Sequence, residues 1–182
     1  MQDILNAPTR ATPTAQSAPR VDLYAPIHKA LRSFTGDTLA RAGRLDTDDA
    51  EEFSITLGQL DVLLALCASH IAHENGHVHP AIEAREPGAA QRIAHEHQDH
   101  LQAIDDLGCE ARALRGAPAS ERPLRALRLY RHLALFIADN LQHMHIEETA
   151  HNAALWARYS DAELGVSRRW SAPALRPRRA TG

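Results

Sequence analysis

Four histidines and a glutamate lie within twelve residues, in the stretch SHIAHENGHVHP at positions 69–80. Imidazole and carboxylate groups bind iron, and they also bind zinc and manganese. His70 and Glu74 are four residues apart, so on a helix they share one face and can bind the same ion or neighbouring ions. The stretch therefore predicts a pair of metal ligands on a helix.

The same HxxxE spacing recurs in HMHIE, as His143 and Glu147. The two histidines and the two glutamates are each 73 positions apart, since 143 − 70 and 147 − 74 both equal 73. Two helical hairpins of similar length would present such a pair in the same register. The repetition predicts one ligand pair on each of two helices that face a common site.

Helical phase separates the other histidines of the first stretch. Cys67, His70 and Glu74 continue an apolar stripe, so the ligand pair faces inward if that stripe does. His73 and His77 form a second pair with the same four-residue spacing, and phase alone excludes neither. His77 is kept as a possible ligand, and His73 is the weaker candidate.

Two further helical segments each supply a histidine to the predicted site. His97 shares a face with the apolar residues Leu101 and Ile104, and His100, three residues further on, is a possible additional ligand. His28 is the single histidine of the first helical segment. Because three other segments carry histidines, His28 becomes the expected fourth contributor.

Five histidines are predicted to lie away from the site. Pro80 disturbs the helix between His79 and Glu83, which favours an exposed histidine near a helix end. His145 lies about 200 degrees around the helix from His143. The five, interpreted as surface or edge residues, are His79, His95, His132, His145 and His151.

The composition favours an all-α protein. Apolar residues make up 44% of the chain and aromatic residues only 4%, and alanine and leucine dominate while valine, isoleucine and tyrosine are scarce. Apolar residues at three- and four-residue spacings predict four helices with short connections, hence an up-down-up-down four-helix bundle. These predicted helices run from about Asp22 to Gly43, Asp49 to Glu83, Ile93 to Leu114 and Glu121 to Leu155.

The two ends of the chain differ from the bundle, which is predicted at residues 22–158. Residues 1–21 are rich in threonine, proline, alanine and serine and are typical of a disordered lead. Residues 159–182 carry five arginines and no acidic residue after Glu163. They are predicted to form a solvated, partly disordered basic tail.

Charge and cysteine content exclude several functional classes. The net charge of −3 does not indicate a nucleic-acid binder, and two cysteines are too few for a disulfide framework or a thiolate zinc site. No apolar run approaches the length of a membrane span, and the N-terminus lacks the features of a signal peptide. The sequence predicts a soluble cytoplasmic protein with no nucleic-acid or membrane partner.

The order of these motifs resembles the hemerythrin-like family, also called HHE cation-binding proteins. The resemblance rests on HKALR at 28–32, HxxxE followed by HP at 70–80, EH at 96–97 and HxxxEE at 143–148. It covers about residues 22–157 and implies a four-helix bundle that binds non-haem iron. The iron ligands that it implies are His28, His70, Glu74, His97, His143 and Glu147.

The chain departs from the oxygen-carrying members of that family at two places. Those members have HxxxH on the third helix, whereas this chain has Ile93 four residues before His97. His100 or His77 could supply the missing histidine, or the site could be more open or hold one iron. The carriers also have an aspartate one residue after the position of Glu147. Both departures argue against reversible oxygen carriage.

Three functional hypotheses follow. The first is a protein with one or two non-haem iron ions, a di-iron centre being favoured over zinc or manganese, that binds or senses O2, NO or peroxide or handles iron under oxidative or nitrosative stress. The second is a metal-dependent oxidoreductase or iron-donating repair protein with an unknown redox or protein partner. The third is a metal-free bundle with a pH-responsive, histidine-rich surface. No catalytic nucleophile or acid–base pair stands out apart from the ligands, which argues against an enzyme.

Overall fold

A computed structural model describes residues 19–167 of the chain. Most of the predicted lead and the arginine-rich end of the predicted tail lie outside the described residues. Within the described range all regular structure is helical, and the prediction of an all-α protein is confirmed. The α-helices are α1 Ala25–Gly43, α2 Ala50–His73, α3 His79–Arg85, α4 Gln91–Arg115, α5 Arg122–Ile146, α6 Asn152–Arg158 and α7 Asp161–Ser167.

Helix starts follow local sequence chemistry. The Asp49 carboxylate accepts hydrogen bonds from the backbone N–H groups of Glu51 and Glu52 at the start of α2, which satisfies two otherwise unpaired donors. Pro26 and Pro123 lie in the first turns of α1 and α5, where a missing N–H costs no helical hydrogen bond. The cap at Asp49 and the two prolines explain why these three helix starts lie close to their predicted positions.

The four long helices α1, α2, α4 and α5 pack in a closed ring. α1 contacts α2 and α5, and α4 contacts the same two helices from the other side. The prediction of a helical bundle is confirmed, and within the described residues the bundle also contains the shorter α3, α6 and α7. The up-down-up-down order of the long helices stays a prediction.

Two hydrophobic clusters fill the interior. The main core lies between the four long helices and includes Leu57, Leu63, Leu114 and Leu133, each at most 1% exposed. A second, smaller cluster lies among α3, α6, α7 and the start of α1. The second cluster consists of Leu23, Tyr24, Val78, Ile82, Ala90, Leu155 and Leu164.

A single turn of π-helix interrupts each of the two helices that carry an HxxxE motif. These turns span Glu74–Val78 and Glu147–His151, so each begins at the glutamate of its motif. The 73-residue offset extends to both turns and to the helices that follow them, α3 and α6. π turns of this kind occur frequently at functional sites. The repeat is therefore structural as well as a repeat of residue types.

Residues near the two ends of the described range pack against each other. The Arg20 guanidinium contacts the Asp161 carboxylate at 2.8 Å, and the Trp156 indole N–H donates to the Val21 carbonyl at 2.8 Å. Leu164 in α7 is buried in the second cluster. Residues 161–167, predicted as part of the tail, thus form a packed helix. The prediction of a tail rested on its charged residues, whereas this helix packs through its apolar residue Leu164.

The helical stretch Ala50–Arg85 is long and apolar enough, by length and composition, to cross a membrane. It has 36 residues and a mean hydropathy of 1.6 in its most apolar window. The expectation that no apolar run approaches this length is therefore wrong by this measure. A core helix passes the same test, and Leu57, Leu60 and Leu63 of this stretch are buried in the main core. The finding is weak evidence for a membrane segment.

Two leucines of α5 provide a matched test of the main core. Leu133 is fully buried, whereas the Leu135 side chain is 70% exposed. Leu133→Ala is expected to lower the free energy of unfolding by roughly 2–5 kcal/mol, because it removes buried methyl groups and leaves a cavity. Leu135→Ala is expected to change it by about 0.5 kcal/mol or less. Urea denaturation measures both, and equal effects would contradict this packing.

Candidate metal centre

The first of two sub-sites joins two histidines to one oxygen from each glutamate. The Nε2 atoms of His28 and His70 are 3.1 Å apart. Oε1 of Glu74 lies 3.8 Å from Nε2 of His28 and 3.2 Å from Nε2 of His70. Oε2 of Glu147 lies 3.4 Å from Nε2 of His28. These four groups, called the first sub-site, converge closely enough to hold one metal ion.

The second sub-site repeats this arrangement with the remaining oxygens. The Nε2 atoms of His97 and His143 are 3.0 Å apart. Oε2 of Glu74 lies 3.4 Å from Nε2 of His97, and Oε1 of Glu147 lies 3.6 Å from the same nitrogen. Oε1 of Glu147 is also 3.3 Å from Nε2 of His143. This set likewise converges closely enough to hold one ion.

Glu74 and Glu147 belong to both sub-sites. Each directs one oxygen to the first sub-site and the other to the second, so the two residues, called the bridging glutamates, would be shared by two ions if both sub-sites were filled. Their residues are at most 2% exposed, and none of the four oxygens has a well-formed hydrogen bond. A buried carboxylate without such partners is strongly unfavourable unless a cation compensates it. The pair of bridging glutamates is the feature that most directly indicates metal binding.

The outward nitrogens of three histidines are held by polar side chains. Nδ1 of His28 is 3.2 Å from the carboxylate of Glu148, which is also bound by the Arg32 guanidinium. Nδ1 of His143 is 3.0 Å from the carboxylate of Glu96. A carboxylate at Nδ1 fixes the ring orientation and leaves Nε2 free as a metal ligand.

His97 has a neutral partner in the same role. Its Nδ1 is 2.8 Å from the side-chain oxygen of Asn75. Asn75 follows Glu74 just as Glu148 follows Glu147. The residue after each bridging glutamate therefore orients a histidine from the other half of the chain: Asn75 orients His97, and Glu148 orients His28. These two contacts link the two halves of the chain across the centre.

The carboxylates determine the charge of the nearby histidines in the metal-free protein. Burial lowers the pKa of His97, but the adjacent Glu147 and Glu74 outweigh this effect and raise the pKa to about 9. The pKa of His143 is also raised, because Glu147 and Glu96 outweigh its burial. Burial raises the pKa of both bridging glutamates, but the facing histidines lower it further than burial raises it. Protons on His97 and His143 therefore balance part of the negative charge of the two glutamates.

All six histidines and glutamates predicted as ligands meet at this centre. His28, His70, Glu74, His97, His143 and Glu147 form the two sub-sites, and all except the partly buried His70 are buried. Their role as metal ligands stays a prediction.

The two additional candidates do not join either sub-site. His77 is exposed and its ring contacts that of His73. His100 is buried against the ring of His143, but its Nε2 atom points to the carboxylate of Asp139, 3.2 Å away. His100 therefore lies beside the second sub-site as a neighbour of its ligands.

The surface assignment is confirmed for three histidines and wrong for two. His95, His132 and His145 are exposed. His79 and His151 are buried, with 6% and 3% exposure, and together with Glu147 they form a third group of converging ligand atoms. Burial lowers the pKa of His79 to about 4 and also lowers that of His151, so both rings are neutral at pH 7.

Backbone geometry explains the error at His79. In a regular α-helix His79 would lie about 140 degrees around the axis from Glu74. The backbone N–H of His79 instead donates to the Glu74 carbonyl five residues earlier, which places His79 above Glu74 on the inner side. His151 was detectable, because His143, Glu147 and His151 continue one stripe at four-residue spacing.

A comparison with protein families identifies the chain. The sequence model of the hemerythrin HHE cation-binding domain matches residues 20–154. The chain belongs to this family. No curated protein matches the chain significantly. Membership and the histidine–glutamate clusters together indicate a metal-binding helical bundle, typically one for iron.

The raised pKa of His97 predicts how the metal-free protein responds to pH. Because the folded pKa of about 9 exceeds the unfolded value near 6.5, the stabilisation is complete below pH 6.5 and is lost as the pH rises towards 9. Metal-free protein is expected to lose stability over this range, as measured by urea denaturation with a chelator present. The His97→Gln variant should show a weaker dependence, and an unchanged slope would contradict the assignment.

Proposed function

We propose that the chain binds a pair of non-haem iron ions at the two sub-sites. Each sub-site offers two imidazole nitrogens and two carboxylate oxygens, a donor set that suits iron and lacks the thiolates of structural zinc sites. The observation that carries the proposal is the pair of buried glutamates, Glu74 and Glu147, whose oxygens are divided between the sub-sites and lack well-formed hydrogen bonds. Iron held there supplies redox chemistry and affinity for small oxygen and nitrogen ligands.

We further propose that the centre binds or senses O2, NO or peroxide. A small cavity of about 10 Å³ lies beside Glu74 and His143, with room for about one water-sized molecule. Its other walls combine the apolar residues Leu31, Cys67, Ile71 and Met144 with Thr35, His70, His100 and Asn140. A small, partly apolar space next to the candidate ligands suits a small uncharged molecule better than a large or charged one, which supports this role.

His100 lies between this cavity and a groove on the surface. The groove, of about 520 Å³, lies between α4 and α5 and contains Asp139 and Phe136. The Asp139 side chain is 70% exposed, so its contact with His100 lies at the protein surface. The His100 side chain is therefore the single wall residue that the groove and the inner cavity share. This arrangement supports access of a small ligand from the groove.

Iron content tests the ligand assignment. Glu74→Gln and Glu147→Gln are expected to lose most of both iron equivalents, because each glutamate serves both sub-sites. His28→Ala and His143→Ala are each expected to lose about one equivalent. Iron per chain is measured after anaerobic reconstitution and desalting, with circular dichroism to verify folding. The exposed His95→Ala and His145→Ala serve as controls, and similar losses in all six variants would reject the assignment.

Filling the cavity tests the role in small-ligand binding. Cys67→Val places extra volume in the cavity wall and is expected to weaken NO binding to the iron-loaded protein at least several-fold, with iron content retained. Cys109→Val is the matched control, because Cys109 is exposed. The measurement is an optical titration with NO. Unchanged NO affinity in Cys67→Val would reject the cavity as the place where NO binds. In a separate assay of the unmodified protein, multiple turnovers with an added electron donor would favour an oxidoreductase over a sensor.

A further inference from the structure

Tyr24, His79 and His151 form a polar cluster on the side of Glu147 that faces the second hydrophobic cluster. His79 and His151 are each more than nine-tenths buried, and their Nε2 atoms have no hydrogen-bond partner among the described residues. A ring nitrogen of each lies within 4.8 Å of the other and of a Glu147 oxygen. Neither the six predicted ligands nor the small apolar cavity accounts for these two nitrogens.

Tyr24 determines which nitrogen of His151 carries the proton. The Tyr24 hydroxyl lies 3.1 Å from Nδ1 of His151 and has no other hydrogen-bond partner among the residues at 19–167. Tyr24 is only 1% exposed, so its O–H must donate to Nδ1 or remain unsatisfied. With Nδ1 acting as acceptor, the proton of the neutral ring is on Nε2. His151 thus has a buried N–H group at Nε2 with no partner among the described residues, on a ring that lies beside Glu147.

The spacing of this cluster suits one small acceptor. The converging atoms are within 4.8 Å of one another, yet the two Nε2 atoms make no hydrogen bond within the protein. Two N–H groups that each donate at about 2.9 Å to one common atom can be up to about 5.8 Å apart. An unpaired buried donor costs roughly 1–3 kcal/mol, so an acceptor bound between the two rings is strongly favoured.

The structural repeat shows that packing alone does not require a histidine at the position of His151. At the 73-residue offset, the counterpart of His151 is Val78 and the counterpart of His79 is Asn152. Val78 is buried in the second hydrophobic cluster, so an apolar residue fills the place equivalent to His151. Asn152 is buried and polar, like His79, but the pair of facing imidazoles is not repeated at the equivalent positions.

We propose that His79 and His151 donate hydrogen bonds to a small oxygen- or nitrogen-containing anion, of the class of hydroxide, hydroperoxide and azide, bound at the metal centre beside Glu147. Tyr24 acts as a positioning residue that holds His151 with its proton on Nε2. This inference rests on the proposed iron-binding function, because an anion beside Glu147 needs cations to balance its charge. The centre then has an apolar side for diatomic ligands and a hydrogen-bonding side for anions.

Azide binding to the iron-loaded protein tests the donor pair. His79→Phe and His151→Leu are each expected to raise the azide Kd roughly tenfold or more, which is the effect of losing one hydrogen bond to a charged group. Iron content should stay unchanged, His151→Gln should restore most of the affinity through its amide N–H, and the exposed His145→Leu should behave like the unmodified protein. The readouts are an optical titration with azide and iron per chain.

The proton position on His151 is tested without iron. In metal-free protein at pH 7, ¹⁵N NMR of the imidazoles is expected to show His151 with its proton on Nε2, and Tyr24→Phe should shift the ring towards the Nδ1-protonated form. A dominant Nδ1–H form in the unmodified protein would overturn the proposal even if iron never binds.

The outcomes separate the two proposals. An unchanged azide Kd in both histidine variants overturns the donor pair while leaving iron binding intact. Loss of an iron equivalent in His79→Phe or His151→Leu identifies those residues as metal ligands and also overturns it. Failure of the unmodified protein to bind iron rejects the proposed function itself.

Discussion

Two buried carboxylates that face each other determine the rest of this structure. Glu74 and Glu147 are placed together in the interior, where like charges repel and neither can be solvated. Their burial requires positive charge on all sides, which explains why a histidine approaches from each of the four long helices. In the metal-free protein, protons on His97 and His143 provide part of that charge. The bundle thus holds two carboxylates close together in its interior, at a site whose histidine–glutamate groups could hold a metal ion.

The packing on either side isolates these charges from solvent. The main hydrophobic core lies on one side of the glutamates, and the smaller cluster of α3, α6 and α7 lies on the other. Low polarity strengthens the electrostatic interactions between the carboxylates and their partners. It also increases the free-energy cost of a carboxylate that lacks a partner. The outer carboxylates of Glu148 and Glu96 then keep the imidazoles in one orientation.

Much of the fold and of the candidate site was predictable from the sequence, because both depend on regular periodicity. Repetition of HxxxE at a constant offset identified His70, Glu74, His143 and Glu147, and apolar stripes located the long helices. His79 was misplaced because the prediction assumed 3.6 residues per turn throughout, and nothing in the residue types signals a π turn. The packed helix α7 was missed because its burial depends on a single leucine that meets a distant part of the chain.

Each π turn also allows its helix to carry one extra residue between the glutamate and the helix that follows. Substitution of the exposed Gly76, which has open space around its Cβ position, leaves the length of the turn intact. Removal of one residue there would let the turn close as α-helix with the former His79 four residues after Glu74, so His79 and Ile82 would still face the interior. Closing the turn as α-helix with all residues kept would instead rotate everything after it by about 100 degrees and turn both side chains away. At this centre, the width of one helical turn is as much a determinant of the inward-facing residues as their chemical identity.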